Sequence, residues 1–397
     1  MSRNPFNPSW GTRPPVLAGR HEILQTVFED LAAGPGHAHY HHVFYGPRGV
    51  GKTVLLTEIA EHVHQEWGWA VVDYSGTPEY GPRLALADAA PALLRQLGGR
   101  RASAQGLPRR VEAAVPVPGR PLRASVELPG ADAGQFLPLL QRLAELAQRR
   151  GAGLLFVVDE VQRARAQPDL ELLGNTVQQL ERRRGLPVSM AIAGLHNTPR
   201  HLARACTFFE RQDKVQLTDL GPDATRVAYL EPLATGGIAI DGEALELLVD
   251  RSQGYPFAIQ LYGHRAWERV GEGGRLTLAE ATGAIEDADR WLAVNLYEPR
   301  WDRLDTTERA MVKAIAAFGG TMVATRDIAA AVGRTPSQLS VARHALLNEH
   351  HVVHTPRYGH LAFDLPGFDR WLAQTQDLSS LRLPPPRQPG RRSRTSP

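Results

Sequence analysis

An eight-residue stretch near the start of the chain, GPRGVGKT from Gly46 to Thr53, constrains the fold more than any other feature. It fits the Walker A pattern G-x-x-x-x-G-K-[S/T], whose glycines let the backbone curl so that its N–H groups point at phosphate oxygens. In such a loop the lysine reaches the outer phosphates and the last hydroxyl ligates Mg²⁺. We therefore predict a phosphate-binding loop, with Lys52 also catalytic and Thr53 also a metal ligand, formed by Gly46, Pro47, Arg48, Gly49, Val50, Gly51, Lys52, Thr53 and Val54.

The residues on both sides of this loop support the prediction. A Walker A loop lies between a strand and a helix. His42–Tyr45 (HVFY) reads as a short strand, and Leu55, Ile59 and Val63 recur at helical spacing after the loop. A helix that begins there directs the positive end of its dipole at the phosphates. The pattern predicts an α/β fold, a P-loop core with a parallel sheet.

A second motif, LLFVVDE from Leu154 to Glu160, completes the predicted site. Its apolar run is typical of a strand that is buried on both faces. We predict that Asp159 holds Mg²⁺, directly or through water, and that Glu160 orients and activates the attacking water. Two chance matches on an unrelated α/β fold are the alternative, which the presence of both motifs in suitable contexts disfavours.

A third apolar stretch, VSMAIAGLHN, ends in polar residues at Asn197. Two interpretations of Asn197 remain open. Its amide is suited to hydrogen-bond a γ-phosphate or a catalytic water, but Asn-Thr-Pro also favours a turn.

Taken together, these motifs resemble those of AAA+ and STAND ATPases, in particular the bacterial and archaeal ATPases related to origin-recognition initiators. Three further segments are similar: Val16–Leu24 resembles the motif that packs near the adenine, Phe208–Pro222 the end of the ATPase core, and Gly254–Gly263 the Gly-x-Pro element of the helical lid. The resemblance implies ATP and Mg²⁺ as cofactors, with Pro256 near the nucleotide.

The resemblance also implies roles for residues later in the core. Asn197 falls at the family's sensor 1 position, and Arg211, more than Arg204, lies near the arginine-finger region. One departure concerns the lid: many AAA+ proteins place a sensor 2 arginine there, whereas no arginine follows Pro256 until Arg265. We therefore expect a slow, switch-like ATPase rather than a motor.

The resemblance, the helical patterns along the chain and the composition of its ends together divide it into five parts. We predict a flexible N-terminal segment (1–15), an AAA+ core (16–221) with an inserted hairpin near 109–130, an α-helical lid (222–304), a winged helix-turn-helix domain (305–375), and a disordered basic tail rich in Pro and Arg (376–397). The inserted hairpin is either a partner contact or a decorative loop.

The predicted winged helix follows from three helical patterns and a hairpin. We expect Thr306–Thr307 to cap its first helix and Pro336 to open its third. The third helix presents Gln338 and Arg343, which suits duplex DNA, but residues 305–371 are nearly neutral, which suits a protein partner. DNA, a protein and a second copy of the chain remain alternative partners, and a non-catalytic nucleotide-binding module is the alternative to an ATPase.

Charge and composition exclude some classes of protein. The net charge of the chain is +3, and the segment from Arg382 to the C-terminus contributes five positive charges and no negative ones. The rest of the chain therefore has a small net negative charge and is not a strongly basic nucleic-acid binder. No apolar run approaches membrane-helix length, and the single cysteine, Cys206, agrees with a cytoplasmic location. The histidines near 37–42 and 350–354 have no accompanying pattern typical of a zinc site.

Overall fold

The computed structural model describes residues 4–9, 11–75, 81–98, 133–161 and 167–383. The predicted hairpin at 109–130 and most of the predicted tail lie outside these residues. The chain divides into two compact units, Met1–Thr277 and Leu278–Pro397. In the part of the chain that the structure describes, no helix has both the length and the apolar character that crossing a membrane requires.

A five-stranded sheet forms the centre of the first unit. All its neighbouring strands are parallel and lie in the order β2-β3-β4-β1-β5. The strands are β1 (His42–Tyr45), β2 (Ala70–Ser75), β3 (Leu154–Asp159), β4 (Val188–Gly194) and β5 (Asp213–Gln216). The fold class predicted for the core, and the strands predicted at residues 42–45 and 154–159, are confirmed.

Helices cover both faces of this sheet. They are α1 (His21–Ala33), α2 (Lys52–Gln65), α3 (Pro82–Gly98), α4 (Ala133–Gln148), α5 (Gln167–Arg184) and α6 (Thr198–Ala205). Adjacent residues of β3 enter different hydrophobic clusters, because successive side chains of a strand point to opposite faces. Leu155 packs in the cluster that contains Ile59 of α2, and Phe156 in the cluster that contains Leu140 of α4 and Leu173 of α5.

The first unit ends in a mainly helical segment. A short 3₁₀ helix at Thr207–Arg211 precedes β5. Three helices follow, with a small parallel strand pair beside them: α7 (Pro222–Thr235), α8 (Gly242–Ser252), α9 (Pro256–Val270), β6 (Ala239–Ile240) and β7 (Arg275–Leu276).

The second unit combines helices with a three-stranded antiparallel sheet of order β8-β10-β9. Its first helix, α10 (Leu278–Leu292), continues through a wider π turn at Ala293–Tyr297 into α11 (Glu298–Asp302). The remaining elements are α12 (Thr306–Ala317), β8 (Val323–Ala324), α13 (Thr325–Ala331), α14 (Ser340–Asn348), β9 (Val353–His354), β10 (His360–Phe363) and α15 (Phe368–Thr375).

Two details of the second unit differ from the sequence prediction. The cap of α12 is Asp305, which forms a reciprocal capping box with Glu308, so the cap predicted at Thr306–Thr307 was wrong by one residue. The third helix begins at Ser340 rather than Pro336, because Gln338 donates its backbone N–H to the Thr335 carbonyl oxygen and closes a turn first.

Burial of His42 at the start of β1 makes stability depend on pH. The side chain of His42 is 1% exposed, and this burial lowers its pKa from 6.5 to about 4, against the opposing charge of Asp213. Below pH 6.5 the unfolded chain therefore binds more protons than the folded chain. The free energy of unfolding is therefore not reduced by His42 above pH 6.5. It falls as the pH is lowered toward 4, by at most about 3 kcal/mol.

We expect His42→Leu to flatten this dependence. Denaturant unfolding of wild type and His42→Leu between pH 7 and pH 4.5 should show a smaller loss of stability in the variant. The control is His21→Asn, because His21 is exposed. Equal slopes for wild type and His42→Leu would show that this histidine is not the titrating group.

Candidate nucleotide-binding site

The loop Gly46–Gly51 joins the carboxyl end of β1 to α2 and is packed closely against its neighbours. The Gly46 N–H donates to the Gly194 carbonyl oxygen at the end of β4, at 3.3 Å. A Cβ on Gly46 would lie only 2.3 Å from the Leu217 carbonyl oxygen. Gly51 has φ 94°, a left-handed conformation that favours glycine, and α2 begins at the next residue. The sequence thus places a helix N-terminus at the carboxyl edge of the sheet, where anions bind.

Lys52 holds its charge inside the loop. Its side chain is buried, and its Nζ donates to the carbonyl oxygens of Gly46 at 3.1 Å and Pro47 at 2.5 Å. A buried ammonium requires such acceptors, because desolvation of an unpaired charge is costly. This places a cation inside a loop that leads directly into the N-terminus of α2.

Thr53 and Asp159 bring two oxygen ligands together from α2 and β3. Thr53 Oγ1 donates to Asp159 Oδ2 at 2.6 Å, and Asp159 Oδ1 accepts the Glu160 N–H at 2.7 Å. Burial raises the pKa of Asp159, while these two hydrogen bonds and the Lys52 charge oppose the rise. A hydroxyl and a buried carboxylate on one side of a phosphate loop suit Mg²⁺, which prefers hard oxygen ligands.

Glu160 follows directly at the end of β3 and has an unusual backbone conformation. Its φ is 53°, in the left-handed region that residues other than glycine rarely adopt. Such outliers are common where a side chain must be presented in a particular direction. Glu160 thus lies immediately beyond the Thr53–Asp159 pair.

A further carboxylate, Asp73 of β2, lies near this pair and was not predicted from the sequence. Asp73 pairs with Val157 in the register of β2 and β3, two residues before Asp159 and on the same face of the sheet. Desolvation raises the pKa of Asp73, and the negative charge of Asp159 raises it further. The sequence signal that could have identified Asp73 is a charged residue within the mainly apolar strand β2.

Tyr255 closes the loop from the side of α9. A Cβ on Gly49 would lie 2.1 Å from Tyr255 Oη, so the tyrosine ring lies directly against the loop. Gly254 contacts the segment after β5, because its carbonyl oxygen accepts the Leu220 N–H at 2.8 Å. Pro256 is the first residue of α9. Gly254-Tyr255-Pro256 therefore forms one wall of the phosphate-loop region, and Tyr255 was missed by the sequence prediction.

Arg20 ties the segment before α1 to the loop. Its Nη2 donates to the Val50 carbonyl oxygen at 3.2 Å and to the Thr218 carbonyl oxygen at 2.6 Å. Burial lowers the pKa of Arg20, and the charge of Asp219 opposes the change. Arg20 lies within the Val16–Leu24 segment that the sequence singled out, but its contact with the loop could not be predicted from that segment alone.

Comparison with known proteins agrees with this geometry. The family model described as AAA ATPase domain matches residues 16–190, which include the Walker A loop, Asp159 and Glu160. The chain carries an AAA+ ATPase domain. A second model, described as a domain of unknown function (DUF8462), matches residues 294–372. No curated protein sequence matches the chain significantly.

A solved structure shares the fold of this chain. The Walker-type ATPase PABY2304 of Pyrococcus abyssi is 14% identical, with a TM-score of 0.62 over 93% of this chain and 99% of that one. The Aeropyrum pernix Orc1 protein in complex with DNA has 17% identity and a TM-score of 0.42, covering 91% and 94% of the two chains. The Thermotoga maritima RuvB Holliday junction branch migration motor has 16% identity and a TM-score of 0.47, covering 92% and 98%. The likeness to the Pyrococcus abyssi protein shows the fold alone.

The polar residues predicted later in the AAA+ core lie at two different edges of the sheet. Asn197 follows β4, which lies between β3 and β1, and it is exposed at the start of α6 near the carboxyl edge. Arg211 is exposed just before β5, whose first residue Asp213 pairs with His42, the first residue of β1. Arg211 is therefore at the amino edge, opposite the Walker A loop of its own chain. Arg204 is also exposed, near the end of α6.

Proposed function

We propose that the chain binds ATP with Mg²⁺, hydrolyses it slowly, and uses the nucleotide state to regulate a partner. The observation that carries this proposal is the convergence of Lys52, the Thr53–Asp159 pair and Glu160 at one edge of the sheet. Phosphoryl transfer depends on such positioning and charge stabilisation rather than on covalent catalysis.

Each residue of the site has a role in this proposal. The loop N–H groups and Lys52 bind the phosphates, with Lys52 exchanging the Gly46 and Pro47 carbonyl oxygens for phosphate oxygens. Thr53 and Asp159 hold Mg²⁺, which neutralises charge on the phosphates when bound. Glu160 accepts a proton from the attacking water, and Asn197 orients that water or the γ-phosphate.

Slow turnover is proposed because the lid has no sensor 2 arginine directly after Pro256, and the predicted arginine finger, Arg211, lies away from the Walker A loop of its own chain. The segment after Pro256 contains no arginine before Arg265, and Arg211 lies at the opposite edge of the sheet. An arginine that stabilises the transferred phosphoryl group accelerates hydrolysis by roughly 10³–10⁵. In our proposal Arg211 supplies this charge to a neighbouring copy, so that turnover depends on association.

Hydrolysis of ATP by the purified protein tests this proposal. We expect Mg²⁺-dependent release of phosphate that EDTA abolishes. The turnover rate per protein molecule should rise with protein concentration. Tight ATP binding without phosphate release, at any concentration, would support a non-catalytic nucleotide-binding module instead.

The second unit is proposed to act as a winged helix that contacts a protein. Val341 on α14 and Tyr358 before β10 are apolar or aromatic side chains that are 80% and 97% exposed, whereas Arg343 is half-buried. Large exposed apolar side chains on one domain favour a protein contact over phosphate contacts.

The alternative is a DNA-binding ATPase that resembles an initiator or a transposition helper. Salt-dependent binding to duplex DNA that weakens in Arg343→Ala, with ATP hydrolysis stimulated by DNA, would establish that alternative.

The proposed setting is the cytoplasm, without membrane insertion. The single cysteine, Cys206, is buried and free, which fits a reducing compartment.

A further inference from the structure

The N-terminal residues 4–9 and 11–13, named here the N-terminal strap, contact both α9 and α2. We propose that this strap ties the helix that follows Tyr255 to the Walker A helix and thereby limits how fast nucleotide leaves the site. The inference rests on the proposed function, since it concerns release of the nucleotide bound there.

A buried phenylalanine anchors one end of the strap on α9. Phe6 is 1% exposed, and a Cβ on Gly263 would lie 2.3 Å from its ring. The ring also packs near Tyr229 of α7, with the two centroids 6.3 Å apart. A side chain that enters a notch formed by a helix glycine requires close approach of the two backbones. Phe6 therefore fixes the strap to the helical segment α7–α9.

Hydrogen bonds fix the backbone beside this anchor. Asn4 Nδ2 donates to the His264 carbonyl oxygen at 3.2 Å, and the Asn7 N–H donates to Gln260 Oε1 at 3.0 Å. His264 Nδ1 lies 2.9 Å from the Phe6 carbonyl oxygen. These contacts involve successive turns of α9, so this end of the strap follows the helix rather than touching it at one point.

The other end of the strap lies on α2, beside the phosphate loop. Arg13 pairs with Glu58 at 2.8 Å and with Glu61 at 3.2 Å, two carboxylates on adjacent positions of the α2 surface. Between the anchors, a Cβ on Gly11 would lie 3.3 Å from Thr53 Cγ2. The strap backbone thus passes against the threonine that we assign to Mg²⁺.

The two anchors have a direct consequence for nucleotide release. The phosphate loop is closed on the α9 side by Tyr255, which lies against Gly49. For α9 to move away from the loop, either the Phe6 anchor or the Arg13 anchor must separate. The ion pairs are partly exposed and contribute modestly, whereas the buried phenylalanine contributes more. The Arg13 end is therefore the one that opens first.

Dissociation of a fluorescent ATP analogue from the full-length protein, chased with excess ATP, tests the strap. We expect the dissociation rate to rise by roughly threefold or more in Arg13→Glu, which repels Glu58 and Glu61. The rate should rise by at least about tenfold in Phe6→Ala, which removes the buried anchor. The charge swap Arg13→Glu with Glu58→Arg and Glu61→Arg should restore the slow rate. The control is Arg226→Glu, because Arg226 forms comparable exposed ion pairs with Glu246 and Asp223, neither of which is a strap residue.

Hydrogen exchange at the Asn7 amide provides a readout that needs no nucleotide. Faster exchange at Asn7 together with faster dissociation, both reversed by the charge swap, would support the strap. Faster exchange with an unchanged dissociation rate would overturn it, because the strap would then be released without effect. If the wild-type protein bound no analogue at all, the proposed function would fail and the strap proposal with it.

Discussion

ATP turnover by the Glu160→Gln protein is expected to fall by at least about 100-fold, while its affinity for ATP stays within about threefold of wild type. The carboxylate lies just beyond the Thr53–Asp159 pair, and its backbone is in the left-handed region with φ 53°. Glutamine keeps the size of the side chain but cannot accept a proton from water. Binding depends instead on the loop N–H groups and Lys52, which this change leaves in place.

Phosphate release and equilibrium ATP binding, measured on the same preparation, check this expectation. Glu210→Gln is a suitable control, because Glu210 is an exposed acid in the short helix before β5. Turnover of Glu160→Gln equal to that of wild type would contradict the assignment of Glu160 as the base. Loss of ATP binding in this variant would show instead that the backbone conformation at Glu160 maintains the loop.

A second large effect is expected from Lys52→Met, which should lower ATP affinity by at least about tenfold and remove hydrolysis. Lys52 is the cationic side chain that we assign to the outer phosphates, and its charge is buried against the Gly46 and Pro47 carbonyl oxygens. Methionine has a similar length and fills the buried volume without a charge. The loss of a charge-assisted contact to phosphate should therefore dominate over any loss of packing.

Lys214→Met is the matched control for this substitution. Lys214 is one of the three lysines of the chain, and its Nζ also donates to two carbonyl oxygens, those of Glu210 and Gln212, at 2.8 Å each. It lies on β5, outside the loop. Isothermal titration with ATP and Mg²⁺ should separate the two variants, and denaturant unfolding should show that both are folded. Equal ATP affinities in the two variants would mean that Lys52 does not contact the phosphates.

The parts of the site that could be predicted from the sequence are those formed by residues that are neighbours along the chain. A helix start that follows a glycine-rich loop needs Gly51 before Lys52 and Thr53, and the structure has α2 begin at Lys52. The strand β3 was predictable because a parallel strand covered on both faces is apolar throughout. Local backbone requirements and burial of one strand are both visible in a few consecutive residues.

The remaining contacts could not be predicted because they join residues that are distant in sequence. Arg20 bonds to Thr218, and Gly49 packs against Tyr255. Nothing in the N-terminal sequence indicates that Phe6 is buried against Gly263. The start of α14 was misplaced for a different reason, because a proline that opens a turn and one that opens a helix leave the same local signal.

The two edges of the sheet have a consequence for symmetry. The Walker A loop is at the carboxyl edge and Arg211 is at the amino edge. If Arg211 serves the nucleotide of a neighbouring copy, the two contacting surfaces are different and lie on opposite sides of each copy. A two-fold dimer brings identical surfaces together and cannot satisfy this pairing. The assembly would be head-to-tail, and it would close into a ring or extend as a filament according to the rotation between successive copies.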